Sequence, residues 1–228
     1  MYNFKGISPQ TIQLLCENRF QDSKPFYEAH KEEIKQGAVV PMRQIMLDLS
    51  GQLCELDDKM YTNPLYTVSR VRRDTRRTKS KLLYRENLWV MFRRNKFEYP
   101  NAPFMWFEFT PGAYSYGIGM WCDRPVQMDV VRAHIKAHPR RFLKAAGQLL
   151  ENGFVYDSEF YKKDRDPSAP DSVKPYINSK YIEFLHTDTD LSKINSPALI
   201  DELKAFIDLA SPMYRFLIDA YEEIVASE

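Results

Sequence analysis

The 228-residue chain is 44% apolar and 14% aromatic, and its 32 basic and 31 acidic residues leave a net charge of +1. That apolar share supports a substantial core and excludes disorder of the whole chain, while no apolar run reaches the ~18 residues a membrane-spanning helix needs. The opening MYNFKGISPQ lacks a signal peptide's apolar centre, and Cys16, Cys54 and Cys122 are odd in number and without CxxC spacing; a reducing, cytoplasmic setting is expected, with the cysteines as buried small hydrophobes.

Ser8 is positioned to cap a short helix around Ile12 to Leu15, with Pro9 tolerated in its first turn. Ser23 caps a second helix, whose apolar face runs from Phe26 and Ile34 through Ile45, Leu49 and Leu53 to Leu56. Gly37 and Pro41 are predicted to kink it, since proline lacks the backbone donor and clashes with the preceding turn. Between Tyr66 and Met120 the pattern changes to period two, with strands predicted at Val68 to Arg73, Asn87 to Phe92, Phe104 to Thr110 and Tyr114 to Met120. Pro111-Gly112 turns the last two into a hairpin.

Beyond Pro125 helices return, about Val126 to Ala137 and Arg140 to Glu151, separated by His138-Pro139 and ended by Asn152-Gly153. Asp157 to Val173 is polar and reads as a long surface loop, and Tyr181 to His186 as one more strand. Ser196-Pro197 opens a C-terminal helical hairpin broken at Ser211-Pro212. The expected fold is one α+β domain over 1–228. It is helical over 8–57, forms a mostly antiparallel central sheet over 66–121, and is helical again over 125–228 with a strand at 181–186, the terminal helices packing around the sheet.

Charge is distributed unevenly. The run from Arg70 to Lys96 holds eleven basic and two acidic residues, a net of +9, and the remaining 21 basic and 29 acidic residues carry −8. Such a run must meet an anionic partner or be neutralised by the protein's own carboxylates. From Glu183 onward ten acids face only Lys193, Lys204 and Arg215, which makes the C-terminal end a rival partner. On a strand, Arg70 and Arg72 would share one face and Arg73 the other. Asp74 would orient Arg73 or Arg76, and Thr75, Thr78 and Ser80 would offer hydroxyls to an oxyanion.

The run resembles a bacterial family known as domain of unknown function 2461, whose pattern includes Arg-x-x-Arg-Asp-Thr-Arg-Phe-Ser-Lys-Asp-Lys-x-Pro-Tyr-Lys. Arg70, Arg73, Asp74, Thr75, Arg76, Lys79, Lys81 and Tyr84 coincide with it, as do Phe4-Lys5-Gly6-Ile7, the Phe26 to Lys31 helix start, Pro41 and Gly117 to Trp121. Arg77, Ser80, Leu83 and Arg85 depart from the pattern, and Ser80 removes the family's second acid from the run. The resemblance implies a bacterial, soluble α+β protein with an Arg/Lys/Asp/Tyr constellation, and names no activity.

Other motifs are weaker. His134 and His138 are four apart on a predicted helix, but without a Glu between them as in HExxH, so no metal site is expected. Arg132, Lys136, Arg140 and Lys144 recur at fourfold spacing and read as a solvated face. Glu108, amid aromatics, is expected to pair with an arginine of a neighbouring strand, and Gly117-x-Gly119 to bend or bulge its strand. No GxSxG, P-loop or HExxH is present, and no cofactor is indicated.

Three functions compete on the same residues. In the first, Arg70, Arg73, Arg76, Lys79 and Lys81 bind a small phosphate- or carboxylate-bearing ligand, with Asp74 or Tyr84 available for proton transfer and Arg72, Arg77 and Arg85 as a replaceable, solvated remainder. In the second, the arginines pair with the acidic C-terminal helices and serve structure alone. In the third, the surface binds nucleic acid, with Tyr84, Trp89 and Phe92 stacking on bases.

Overall fold

A computed structural model of the protein describes residues 1–76 and 79–227. It is an α+β structure with helices at both ends of the chain and a five-stranded antiparallel sheet in the order β1-β2-β3-β5-β4. Its residues group into two compact units: Met1–Phe92 with Trp106–Ser115 and Thr187–Ala205, and Arg93–Met105 with Tyr116–His186 and Phe206–Glu228.

In the first unit, α1 spans Pro9–Gln21, and Ser8 caps it by accepting the Thr11 N–H at 3.2 Å. The helix stops where Asp22 turns into the left-handed region at φ 41° and returns its N–H to the Asn18 carbonyl. Ser23 caps α2, Lys24–Ile34, in the same way through Phe26. The kink expected at Gly37 and Pro41 takes the form of a π turn, Lys35–Val39, leading into α3, Val40–Leu56. Pro41 has no N–H for the ladder, and a turn one residue wider accommodates the loss. Gly37 is required there, because a Cβ would stand 2.5 Å from Thr11 Oγ1. The inner face of α3, Met42, Ile45, Met46, Leu49 and Leu53, is completely buried.

Past a short helix α4, Pro64–Thr67, capped by Asn63, the expected strand at 68–73 does not form. The segment makes isolated antiparallel bridges instead, Val68 to Val90 and Arg72 to Tyr84. Ser69 donates to the Trp89 carbonyl, whereas Arg73 donates to Leu83 and Arg85 to Val71. Four steps from Val68 to Arg72 face six from Tyr84 to Val90, so the register shifts by two residues between the bridges and the regular ladder is interrupted. Strand β1 follows at Leu88–Arg93 and β2 at Phe104–Phe109. A turn in which Thr110 donates to the Ala113 carbonyl leads into β3, Tyr114–Met120, as the Pro111-Gly112 signal predicts.

In the second unit, β3 continues as one strand through Gly117 and Gly119. Gly119 serves close approach, since its Cβ would lie 2.7 Å from the Ile182 carbonyl oxygen of β5, Ile182–Asp188. Helices α5, Pro125–Ala137, and α6, Pro139–Glu151, meet at His138, which ends one and precedes the other. Gly153 at φ 82° then releases the chain into β4, Val155–Tyr156, which pairs antiparallel with β5. The 157–173 stretch is irregular apart from turns and an isolated antiparallel bridge from Phe160 to Ser179, with the one-turn helix α7, Lys174–Ile177, after it.

The C-terminal hairpin is corrected to a single helix, α8, Ala198–Ser227, which passes through Pro212 without a break. Its apolar stripe continues on both sides of the proline, with Ile207, Ala210, Met213 and Leu217 at 1% exposure or less. Burial of that stripe outweighs the ~3 kcal/mol an interior proline costs. The cysteines are not the buried hydrophobes expected: Cys54 is exposed, and Cys16 and Cys122 are partly exposed. They lie on helix and strand margins whose apolar positions are filled by larger side chains. Among the described residues, no helix is long and apolar enough to cross a membrane.

Candidate functional site

The described residues of the basic run do not all line one groove. The run's first arginines face a groove of about 490 Å³ in the first unit, bounded by α2, the π turn, α3 and the 65–72 segment. Lys31, Lys35 and Arg43 line it from the helices, and Arg70 and Arg72 from the extended segment. Lys31 and Arg43 are twelve residues apart, which in an unbroken α-helix of 3.6 residues per turn would leave them about a third of a turn out of phase. The extra residue taken up by the π turn removes most of that offset, so Lys31, Lys35, Val39 and Arg43 all reach the same groove.

The groove is electrostatically one-sided. No carboxylate is among its described lining residues. Lys31 and Lys35 have exposed partners in Glu28 at 3.5 Å and Glu32 at 3.1 Å, while no carboxylate pairs with Arg43, Arg70 or Arg72 among the described residues. Arg43 also has a fully buried Nε without an acceptor. Tyr27, Tyr66 and Ser69 add rings and hydroxyls to the wall. Sequence reasoning placed Arg70 here, missed Arg43 and dismissed Arg72 as replaceable. The signal for Arg43 was a charge set between Met42 and Ile45 on an otherwise apolar helical face.

The other expected binders stand elsewhere. Asp74 engages Arg76 with both oxygens, at 2.9 Å to Nε and 2.7 Å to Nη2, and this guanidinium holds its carboxyl far below the usual carboxylate range. Both side chains are largely exposed and outside the groove, as are Lys79 and Lys81, the latter donating to the Thr75 carbonyl. Arg77 and Thr78 lie outside the described residues. Tyr84 is buried, stacked on Tyr27 with ring centroids 4.7 Å apart. Burial pushes its phenol up, with the Arg72 charge pulling partly back, so it stays protonated and remote from exchange with solvent.

Arg73 points away from the groove, with a buried Nε that finds no acceptor. Arg85 is not the solvated residue expected: it is half-buried over the Trp89 ring at 4.5 Å. Burial, then the charge of Arg73, pulls its guanidinium below the ordinary value, and Glu108 acts in the opposite sense. The anticipated Glu108 ion pair is corrected to a hydrogen bond from Asn87 Nδ2. Of the rings named for base stacking, Tyr84 and Phe92 are buried and Trp89 lies under Arg85.

In the second unit, the acidic C-terminal helix meets the far end of the basic run. Buried Arg94 pairs with Glu222 at 2.8 Å. The solvated stripe fails at Arg132, which is 3% exposed and donates to the Ile177 and Ser179 carbonyls and to Asp129. It caps backbone that the α7 end would otherwise leave unsatisfied. His134 is likewise buried and bonds Glu223 through Nδ1 at 2.7 Å, with His138 4.7 Å away ring to ring. Among the described residues no group of three His, Cys, Asp or Glu side chains is arranged to hold a metal.

Together the antiparallel sheet, flanking helices and basic groove define an α+β protein with a concave, carboxylate-free cationic surface. The family model described as Conserved hypothetical protein (DUF2461) matches residues 10–216, and the chain belongs to that family. No curated protein matches the chain.

Proposed function

We propose that the groove between α2, α3 and the 65–72 segment binds a small organic anion bearing a phosphate or carboxylate. One observation carries the reading: three arginines that, among the described residues, have no carboxylate partner converge with two lysines on a groove whose described lining holds no acid. Its volume of about 490 Å³ falls in the ~300–1,000 Å³ range of small-molecule sites. Guanidiniums suit this role because they stay charged when partly desolvated and grip oxyanions with a planar fork. Asp74 and Tyr84 are not in the groove, so the proposal is of binding, and the candidate acid-base pair plays no part in it. The proposal includes a bacterial, cytoplasmic setting, consistent with three cysteines that remain free thiols.

Isothermal titration of the full chain with a panel of phosphorylated and carboxylated metabolites tests it. Binding that weakens with salt, and that Arg43→Ala and Arg70→Ala each abolish without loss of fold, is expected. A panel without a single binder at low salt would sink the proposal. The structural alternative has its own support in the Arg94–Glu222 pair. On that reading Glu222→Lys destabilises the protein while the groove variants change nothing.

A further inference from the structure

Resting on the groove as an anion site, we infer that its ligand is a phosphomonoester carrying an aromatic ring, the chemistry of a nucleoside monophosphate or an aryl phosphate. Two features narrow the class. The first is charge. Lys31 and Lys35 each have a carboxylate of their own, but among the described residues Arg43, Arg70 and Arg72 do not. One carboxylate brings a single charge and two oxygens to three guanidinium forks and leaves most of their donors unmet. A phosphomonoester brings about −1.5 to −2 near neutral pH and three strong acceptor oxygens, which matches the count.

The second feature is the wall. Between the cations the lining is apolar and aromatic, with Ile34 and Val39 on the helical side and Val68 on the other. Tyr66 also lines the groove although its side chain is 74% exposed, a large ring left in water beside an anion site. An aliphatic polyol phosphate would put hydroxyls against this wall, where they gain little. A flat ring would cover Tyr66 and the valines and remove apolar surface from water.

Four probes separate the two features: phenyl phosphate, glycerol 3-phosphate, benzoate and inorganic phosphate, titrated into the full chain at low and moderate salt. Phenyl phosphate is expected to bind tightest, with glycerol 3-phosphate and benzoate each weaker by about tenfold or more, the worth of one aromatic stack or one well-matched charge. Tyr66→Ala, at an exposed position, should bring phenyl phosphate down to the level of glycerol 3-phosphate. Equal affinity for phenyl phosphate and glycerol 3-phosphate, or for phenyl phosphate and benzoate, overturns the ligand class while leaving an anion groove in place. So does a Tyr66→Ala variant that still prefers the ring. If none of the four binds, and Arg43→Ala has no effect on any titration, the class and the groove reading fall together.

Discussion

Asp22 accepts the backbone N–H of Tyr84 at 3.1 Å, and that of Leu83 at 2.7 Å, through a single carboxylate oxygen. The residue that ends α1 in a left-handed turn therefore also anchors the far end of the basic loop, 61 positions away. Tyr84, so held, stacks on Tyr27 and has Arg72 as its bridge partner, two residues of the groove wall.

Asp22→Ala should destabilise the protein by about 1–3 kcal/mol, because two partly buried N–H groups lose their acceptor. Asn keeps an amide oxygen and tolerates the positive φ, so Asp22→Asn should lose clearly less. Urea unfolding of both variants checks the ordering; equal losses would mean that charge, not the hydrogen bonds, is what counts.

Gly37→Ala should cost about 1–3 kcal/mol by overpacking the π turn against Thr11, whose Oγ1 and Cγ2 would lie 2.5 and 3.0 Å from the new methyl. Thr11→Ala removes both atoms. The double variant should recover most of the loss, and a double-mutant cycle without positive coupling would show that the close approach is not what selects glycine.

Arg132→Met should destabilise by about 1–3 kcal/mol for each of two buried carbonyls that lose their donor, while Asp129 keeps Arg165 as its partner. Lysine cannot reproduce three divergent N–H bonds, so Arg132→Lys should rescue little. Thermal unfolding of the pair decides this: a Lys variant close to wild type would reduce the role of Arg132 to its charge.

Acid sensitivity has a named source at Asp188. The hydrogen bond from Lys193 Nζ at 2.8 Å is the largest cause holding its carboxyl down, from an ordinary 3.8 to about 2, with the Asp190 N–H and Tyr114 hydroxyl adding to it. A depressed carboxylate contributes stability that is present above the unfolded value and lost as pH falls through the folded one. Between roughly pH 4 and 2 the protein should therefore lose stability more steeply than Asp188→Asn does. Urea midpoints at three pH values across that window test this; parallel curves would assign the acid lability elsewhere.

Local chemistry was legible in the sequence where one residue does the local job. Ser8, Ser23 and the His138-Pro139 junction mark helix ends by hydrogen bonds a few residues long, and the Thr110 to Ala113 turn is as short. The 68–73 segment misled because its alternation satisfies a strand pattern, whereas two extra residues on the facing 84–90 stretch break the register. Pro212 misled because a propensity acts alone in a sequence but competes with an entire buried stripe in the fold. The groove was only half legible: Arg70 stands out in a charge run, but its union with Arg43 depends on helix phase across a π turn.

That turn sets stability and site at odds. Rewinding Lys35–Val39 into a regular α-helical ladder, with no residue removed, would rotate Lys31 about 100° relative to Arg43. The smoother helix would disperse the cations that now share a groove. A screen that rewarded thermal resistance alone would drift toward substitutions that regularise the turn, and would return a sturdier protein with nowhere for its anion to bind.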